Sequence, residues 1–274
     1  MATAFLESRS RRHLCAIARS DAARADIAAR WIAQGLRLGE QVVWVEPPGG
    51  PVRDWLDRRG VDWETAEASD RLRIVPPKAV LRIDSAADIP GRIAEVAAQA
   101  RQAVADGHNG LRLGGETAEA LTAMPDVATQ LRFEAAWEQL TLDEQLSLMC
   151  VYDARLDGLH HAEAIALHPR ELSDGLVSAT AHDGVVHLSG ELDLSNGMQV
   201  RAFLDAATPE AGDGDILLDG AECTFMDVAG TAALLSFARD RAPRRVRITA
   251  PPPSLRRILE LTGSAHELDL VAAS

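Results

Sequence analysis

The feature that most constrains the fold is an alternation of short apolar, β-rich runs with longer helical patterns in the N-terminal half. The first run is His13–Ala18, and Ser20-Asp21 then supplies a helix start that is followed by apolar residues at helical spacing. The next run, Gln41–Glu46, is closed by two prolines and two glycines. Strand, helix and strand in this order form a βαβ unit, and such units build parallel sheets.

The alternation of strands and helices continues along the chain, and the sequence pattern then changes after a domain boundary. We predict further strands at Leu72–Val75, Gly110–Leu113 and Leu146–Tyr152, and helices at Val52–Arg59, Ile89–Ala105 and Asp126–Leu140. The polar, turn-rich segment Pro169–Gly175 is the expected domain boundary. Beyond it we predict a β-hairpin of Val177–Ala181 with Val185–Leu188, helices at Met198–Ala207, from Asp227 and at Ser254–Leu261, and strands from Ile216 and at Val246–Thr249.

Composition excludes several classes of function. The chain has 274 residues, enough for two domains that each bury a core. Its formal net charge of −13 argues against non-specific nucleic-acid binding and against docking on an anionic membrane. The three cysteines are widely spaced and form no CxxC pair, which excludes a zinc ribbon and a thioredoxin-like motif.

Targeting signals are also missing from the pattern. The N-terminus lacks an apolar core long enough for a signal peptide. No uncharged apolar run approaches the length of a membrane span. We therefore expect a cytoplasmic protein.

The C-terminal half carries three motifs in a characteristic order. They are the strand containing Gly190–Asp193, the strand–turn–helix junction Asp227–Gly230, and the closing helix Pro253–Gly263. Together they resemble the STAS domains of anti-sigma-factor antagonists over residues 176–271. The resemblance implies a small mixed sheet with helices on one face, and a binding role rather than a catalytic one.

The junction departs from the STAS pattern at one decisive place. The family motif is Asp-Ser-Ser/Thr-Gly, and phosphate is added to the Ser after the Asp. Here Val228 and Ala229 occupy the two hydroxyl positions. A phosphate would bring about −1.5 to −2 charges to a helix N-terminus that a partner must cover. Since neither residue can accept one, we expect the control of this domain to come from elsewhere in the chain.

The resemblance implies an anti-sigma factor or an anti-sigma kinase-like protein as the partner. The predicted partner-binding residues are Glu191, Asp193, Asp227, Val228, Ala229 and Gly230. The simpler interpretation of Asp227 is a helix N-cap, and Glu191 and Asp193 can equally be solvated loop carboxylates.

The N-terminal half resembles the MEDS sensory domain of bacterial regulators over residues 10–172. The resemblance rests on His13–Cys15, on Gly35–Val45 and on a closing signature of Cys150–Asp153 and His168-Pro169. It implies a sensor for a small organic ligand.

The same βαβ start resembles a RecA/KaiC-type ATPase core. A P-loop needs glycines and a lysine between the first strand and helix, to place N–H groups and an ammonium on phosphates. The connection Ala18–Ala23 contains neither residue type. We therefore predict a parallel-sheet domain without P-loop ATP hydrolysis.

Candidate ligand-binding residues lie in or near the ends of the predicted parallel strands, the usual crevice of open α/β sheets. They are His13, Cys15, Glu116, Glu134, Cys150 and His168. Such a set can bind zinc or iron, but no local pair has metal-ligand spacing. We expect Cys15 and Cys150 to be small buried apolar side chains instead, and we predict no metal and no cofactor.

The predicted function is a non-enzymatic signalling regulator: a sensory domain fused to an antagonist domain that lacks its phospho-acceptor. One alternative is a divergent nucleotide- or metal-binding enzyme. Another is a scaffold in a stress-signalling complex, in which the first domain forms homo-oligomers and binds nothing small.

Overall fold

The computed structural model describes residues 13–80, 83–117, 126–155, 165–168, 171–208 and 214–271. The chain divides into two compact units, with the division between residues 159 and 160. It falls before the predicted boundary Pro169–Gly175, so that His168 is grouped with the second unit. Residues 10–12 of the predicted sensory domain, and Pro169 of its closing signature, lie outside the described residues.

The first unit is built on a parallel sheet with the strand order β1-β5-β4-β2-β3. Its strands are β1 (His13–Ala18), β2 (Gln41–Val45), β3 (Leu72–Val75), β4 (Leu111–Glu116) and β5 (Leu146–Asp153). Its helices are α1 (Asp21–Arg37), α2 (Val52–Arg58), α3 (Trp63–Ala68), α4 (Pro77–Val80), α5 (Ile89–Ala105) and α6 (Val127–Asp143), with a 3-10 turn at Ala86–Asp88. The predicted parallel α/β architecture is confirmed.

The two faces of this sheet are covered by different helices. Side chains alternate along a strand, so Leu14 of β1 faces α1 and packs in a core with Trp31 and Ile32. His13 and Cys15 then point to the opposite face. There α6 packs against β1 and β5. The chemistry-bearing side chains of β1 therefore lie under α6.

The first unit differs from the predictions in its short helices and in the length of β4, and α4 and the 3-10 turn were not predicted. The short helix α3 was not expected; Asp62 caps it by accepting a hydrogen bond from the Thr65 N–H. Strand β4 continues past the predicted Gly110–Leu113 to Glu116, because its last residues pair with both neighbouring strands. The extension brings Glu116 to the carboxyl end of the sheet.

The second unit contains a mixed sheet in the order β6-β7-β8-β9-β10-β11. Its strands are β6 (Glu171–Ser173), β7 (Val177–His182), β8 (Val185–Leu192), β9 (Ile216–Met226), β10 (Val246–Thr249) and β11 (Asp269–Val271). Its helices are α7 (Gly197–Ala207), α8 (Val228–Asp240) and α9 (Pro253–Thr262), with a 3-10 turn at Ala265–Glu267. Strands β6, β7 and β8 form an antiparallel meander, and the remaining pairs, β8–β9, β9–β10 and β10–β11, are parallel.

Strand β9 is longer than the sequence indicates. We predicted a strand near Ile216 and a short turn before Asp227, but the strand runs unbroken to Met226. The pairing of β8 with β9 shifts register twice, between His187 and Ser189 and between Gly190 and Glu191, and it continues as far as Leu192 and Met226. The junction therefore joins a strand directly to α8.

Among the helices that the structure describes, none combines the length and the apolar character required to cross a membrane.

Candidate functional site

Three ionisable side chains of the first unit meet between the sheet and α6. His13 lies at the start of β1, Cys150 in the middle of β5, and Glu134 on α6. His13 Nε2 is 3.4 Å from Glu134 Oε2 and 3.4 Å from Cys150 Sγ. The Cys150 thiol donates to Glu134 Oε2 at 3.4 Å. All three side chains are buried. Residues distant in sequence thus form one compact triangle of N, O and S atoms.

The protonation of this cluster is shifted by burial and by its carboxylates. Burial raises the pKa of the Cys150 thiol well above its ordinary value, and nearby Glu134 raises it further. Burial lowers the pKa of His13, but hydrogen bonds and charge interactions with Glu134 and Glu138 outweigh it, so the pKa is raised. Burial therefore disfavours the thiolate of Cys150, and the two carboxylates favour the protonated form of His13.

Cys15 lies beside this triangle and is not one of its corners. It is the register partner of Cys150 on the neighbouring strand, and both are buried, as expected. Tyr152, two residues further along β5, donates its hydroxyl to Glu134 Oε1 at 3.3 Å. For Cys15 the prediction of a small buried side chain is confirmed, whereas the Cys150 thiol lies among polar partners.

A small cavity of about 40 Å³ adjoins the cluster. Its wall is mainly apolar and includes Leu113, Phe133, Trp137 and Leu148, with Glu116, Glu134 and Cys150 as ionisable members. At about 10–15 Å³ per water molecule, the volume has room for about three waters or an organic molecule of similar size. Three of the predicted ligand-binding residues thus line one cavity.

A separate ion-pair network covers the carboxyl ends of β4 and β5. Arg24 Nη1 donates to Glu116 Oε2 at 2.8 Å, and Arg155 pairs with Asp153 and Asp21 at 2.7 and 2.8 Å. The hydrogen bonds from Arg155 hold the pKa of Asp153 at about 2. This network lies at the carboxyl ends of the strands, where open α/β sheets usually bind ligands, and it contains three carboxylates.

Two further residues, His168 and Glu138, complete the description of the candidate ligand-binding residues. His168 is fully buried and belongs to the second unit. Glu138, which sequence reasoning missed, lies one turn after Glu134 on α6, with Oε2 3.6 Å from His13 Nδ1. The i, i+4 spacing of two carboxylates on one helix was the signal that could have found it.

In the second unit, Asp227 organises the start of α8. Its Oδ1 accepts a hydrogen bond from the Gly230 N–H at 2.7 Å, which confirms the predicted N-cap. Its Oδ2 accepts from the Leu194 N–H at 3.2 Å, which ties the loop after β8 to the helix. Thr231 donates its hydroxyl to the Asp227 carbonyl at 2.8 Å. The nearest hydroxyl inside α8 is therefore committed to the backbone.

The glycine of the motif is required by a close approach. A Cβ at Gly230 would lie 2.6 Å from the Leu192 carbonyl oxygen and 2.8 Å from Leu192 Cγ. The same carbonyl accepts a hydrogen bond from the Asp227 N–H. The end of β8 and the start of α8 thus pack backbone to backbone.

Exposed apolar side chains surround this helix start. Val228 is 66% exposed, Leu194 is 82% exposed and Met198, in the first turn of α7, is 84% exposed. We call Leu194, Met198 and Val228 the apolar rim. Leu194 and Met198 were not predicted as partner-binding residues. An apolar residue in a periodic pattern indicates a core position, and only the structure shows that these two are exposed.

The two predicted loop carboxylates behave differently. The Glu191 side chain is exposed at the end of β8. Asp193 is partly buried, and its Oδ1 accepts hydrogen bonds from the Ser195 N–H and hydroxyl at 2.8 and 2.6 Å. Glu191 is therefore available to a partner, while Asp193 stabilises the loop.

Comparison with known proteins identifies both parts of the chain. A family model described as "MEthanogen/methylotroph, DcmR Sensory domain" (MEDS) matches residues 12–169. A second model, described as "Mlab, STAS domain", matches residues 176–272. No curated protein sequence matches the chain.

One similar solved structure is the flagellar accessory protein FlaH from Methanocaldococcus jannaschii. The match has a TM-score of 0.43 and 10% sequence identity, and covers 65% of this chain and 76% of that chain. The two family matches confirm the resemblances drawn from the motifs. The chain belongs to the MEDS family, and its C-terminal part is a STAS domain.

Proposed function

We propose that the chain is a non-enzymatic signalling regulator of the anti-sigma-factor antagonist kind. In this proposal, a small organic molecule binds in the cavity of the first unit, and an anti-sigma factor or anti-sigma kinase-like protein docks on the second. The observation that carries it is the start of α8, where the cap is intact and exposed Val228 stands in place of a phospho-acceptor.

The docking part rests on the apolar rim. Leu194, Met198 and Val228 expose large apolar side chains around a helix start that Asp227 caps and links to the preceding loop. Exposed clusters of this kind are typical of protein–protein interfaces. With no hydroxyl at position 228 or 229, phosphorylation at these two positions cannot change the charge of the surface.

The sensing part rests on the cavity beside Glu134 and Cys150. Ligand sites are concave and mainly apolar, with a few polar groups that fix orientation, and this cavity has that composition. Its volume favours a molecule of a few non-hydrogen atoms.

The ATPase alternative is disfavoured by electrostatics. Glu116, Asp153 and Asp21 lie at the carboxyl ends of the strands and after β1, where a nucleotide would place its phosphates. Their charges repel phosphate, and the arginines there are already paired with them.

Affinity capture with the full chain as bait tests the docking part. We expect an anti-sigma factor or a kinase-fold protein, identified by mass spectrometry. Val228→Asp places a charge where the family carries phosphate, and Asp is favourable in a first helical turn, so the fold is kept. We expect it to reduce capture at least about tenfold.

Leu261→Asp is the matched control, because Leu261 is 68% exposed and lies at the far end of α9. It should leave capture unchanged. The absence of any such partner, or an equal loss in both variants, would count against docking at the apolar rim.

A thermal-shift screen of the full chain with small organic compounds tests the sensing part. A hit should raise the unfolding temperature of the wild-type chain. Leu148→Phe, which fills the cavity from β5, should abolish the shift. A shift that persists in this variant would place the ligand elsewhere.

A further inference from the structure

The triangle of His13, Glu134 and Cys150 has the dimensions of a metal site. Each pair of its N, O and S atoms is separated by 3.4 Å. A tetrahedral zinc ion lies about 2.0–2.1 Å from nitrogen, about 2.0–2.2 Å from oxygen and about 2.3 Å from sulfur, which separates its ligands by about 3.4–3.6 Å. An ion placed above the triangle can therefore reach all three atoms with little backbone movement.

The donor set and its burial point to the same class of ion. Imidazole, thiolate and carboxylate together suit a borderline transition metal such as zinc, whereas calcium and magnesium take oxygen ligands. None of the three residues is more than 7% exposed. Buried charged groups are stable when they are paired or coordinate a metal, and an ion would neutralise the carboxylate and thiolate together.

Glu138 and Tyr152 lie where hydrogen-bond partners of metal ligands usually lie, next to the ligand atoms that face away from the ion. Glu138 Oε2 lies 3.6 Å from His13 Nδ1, the nitrogen that faces away from the triangle. The Tyr152 hydroxyl donates to Glu134 Oε1, the oxygen that the triangle does not use. Such carboxylate–histidine and hydroxyl–carboxylate pairs orient ligands and set their tautomer.

We propose that His13 Nε2, Glu134 Oε2 and Cys150 Sγ bind a zinc ion inside the first unit. Binding displaces the thiol proton of Cys150, and the Nε2 proton of His13 where present, to solvent. Because Glu134 and Cys150 also line the cavity, the ion borders the space assigned to the ligand. The metal site does not depend on the proposed function and goes beyond it.

Metal analysis of the untagged full chain tests the site. We expect about one zinc ion per chain after purification, and its loss on prolonged dialysis against a chelator. Cobalt added to the stripped chain should give a thiolate-to-cobalt charge-transfer band and the visible bands of tetrahedral coordination. Zinc should abolish both.

Cysteine variants give a matched pair. Cys15 and Cys150 are register partners on neighbouring strands and both are buried, but only Cys150 belongs to the triangle. Cys150→Ser should remove the charge-transfer band and weaken zinc binding at least about 100-fold, whereas Cys15→Ser should keep both. Glu134→Gln is a near-isosteric second variant, should Cys150→Ser fail to fold, and should weaken zinc binding while leaving the thiolate band.

Two results would overturn the site: a stripped wild-type chain that takes up no cobalt or zinc, or an equal loss of the band in Cys15→Ser and Cys150→Ser. Either would leave the partner capture and the thermal-shift screen unaffected, so failure of the metal site and failure of the proposed function are distinguishable.

Discussion

Glu46, the residue after β2, shows how one buried group can make stability depend on pH. Its Oε2 accepts a hydrogen bond from the Val52 N–H at 3.2 Å, and its Oε1 has no hydrogen-bond partner among the described residues. Burial raises the pKa of this carboxyl from 4.5 to about 7. The folded chain therefore binds a proton more tightly than the unfolded chain does.

We predict that Glu46→Gln removes this dependence. The folded-state pKa is the higher one, so the carboxyl lowers the stability of the first unit as pH rises from 4.5 to about 7. Relative to the wild type, the free energy of unfolding of the variant should increase across that pH range, by about 3 kcal/mol in total, at about 1.4 kcal/mol per pKa unit.

Tryptophan fluorescence in urea series measures this effect, since all five tryptophans lie in the first unit. Exposed Glu64→Gln, on α3, is the control and should show no such gain. A constant difference between Glu46→Gln and the wild type from about pH 4.5 to pH 8 would contradict the prediction.

Individual residues also show what sequence could and could not reveal. Local chemistry predicted the Asp227 cap and the missing hydroxyl at Val228, because both depend on neighbouring positions alone. The meeting of His13 with Glu134 and Cys150 depends on packing between residues more than a hundred positions apart, which no spacing rule encodes.

At the scale of elements, periodicity identified most of the helices and strands but not all of their limits. The helix starts at Ser20 and Asp227 were correct, because capping is local. The end of β9 was missed, because its pairing with β8 passes through register shifts that break the regular pattern. The short α3 lacks the length on which periodicity depends.

We predict that replacing two glycines by alanine changes the free energy of unfolding in opposite directions. One is Gly230, where β8 meets α8, and the other is Gly197, at the start of α7. Gly230→Ala gains helix propensity, but its Cβ would clash with the Leu192 carbonyl and side chain, so we expect a net loss of about 2–3 kcal/mol. Gly197 begins α7, and a Cβ there meets its nearest atom at 3.6 Å. Gly197→Ala should stabilise the second unit by about 0.5–1 kcal/mol.

Far-UV circular dichroism during urea unfolding measures both variants. Tryptophan fluorescence, followed in parallel, reports the first unit alone, because the second unit contains no tryptophan. Two variants that change stability in the same direction would show that the approach of β8 to α8 is looser than described.

For the whole molecule, charge sets the conditions of its use. With a net charge of −13 and an isoelectric point near 5.0, the chain repels other copies at neutral pH. We predict a solubility minimum near that isoelectric point, measured by turbidity across pH, and no retention on heparin at physiological salt. Firm retention on heparin would reveal a basic surface that the net charge conceals.

The apolar rim also determines how recognition would respond to temperature. When a surface is regulated by phosphorylation, the change in binding energy is electrostatic, and salt screens it. Leu194, Met198 and Val228 offer hydrocarbon instead, and covering hydrocarbon lowers the heat capacity of the complex. A partner that docks there should bind with an enthalpy that becomes more negative on warming.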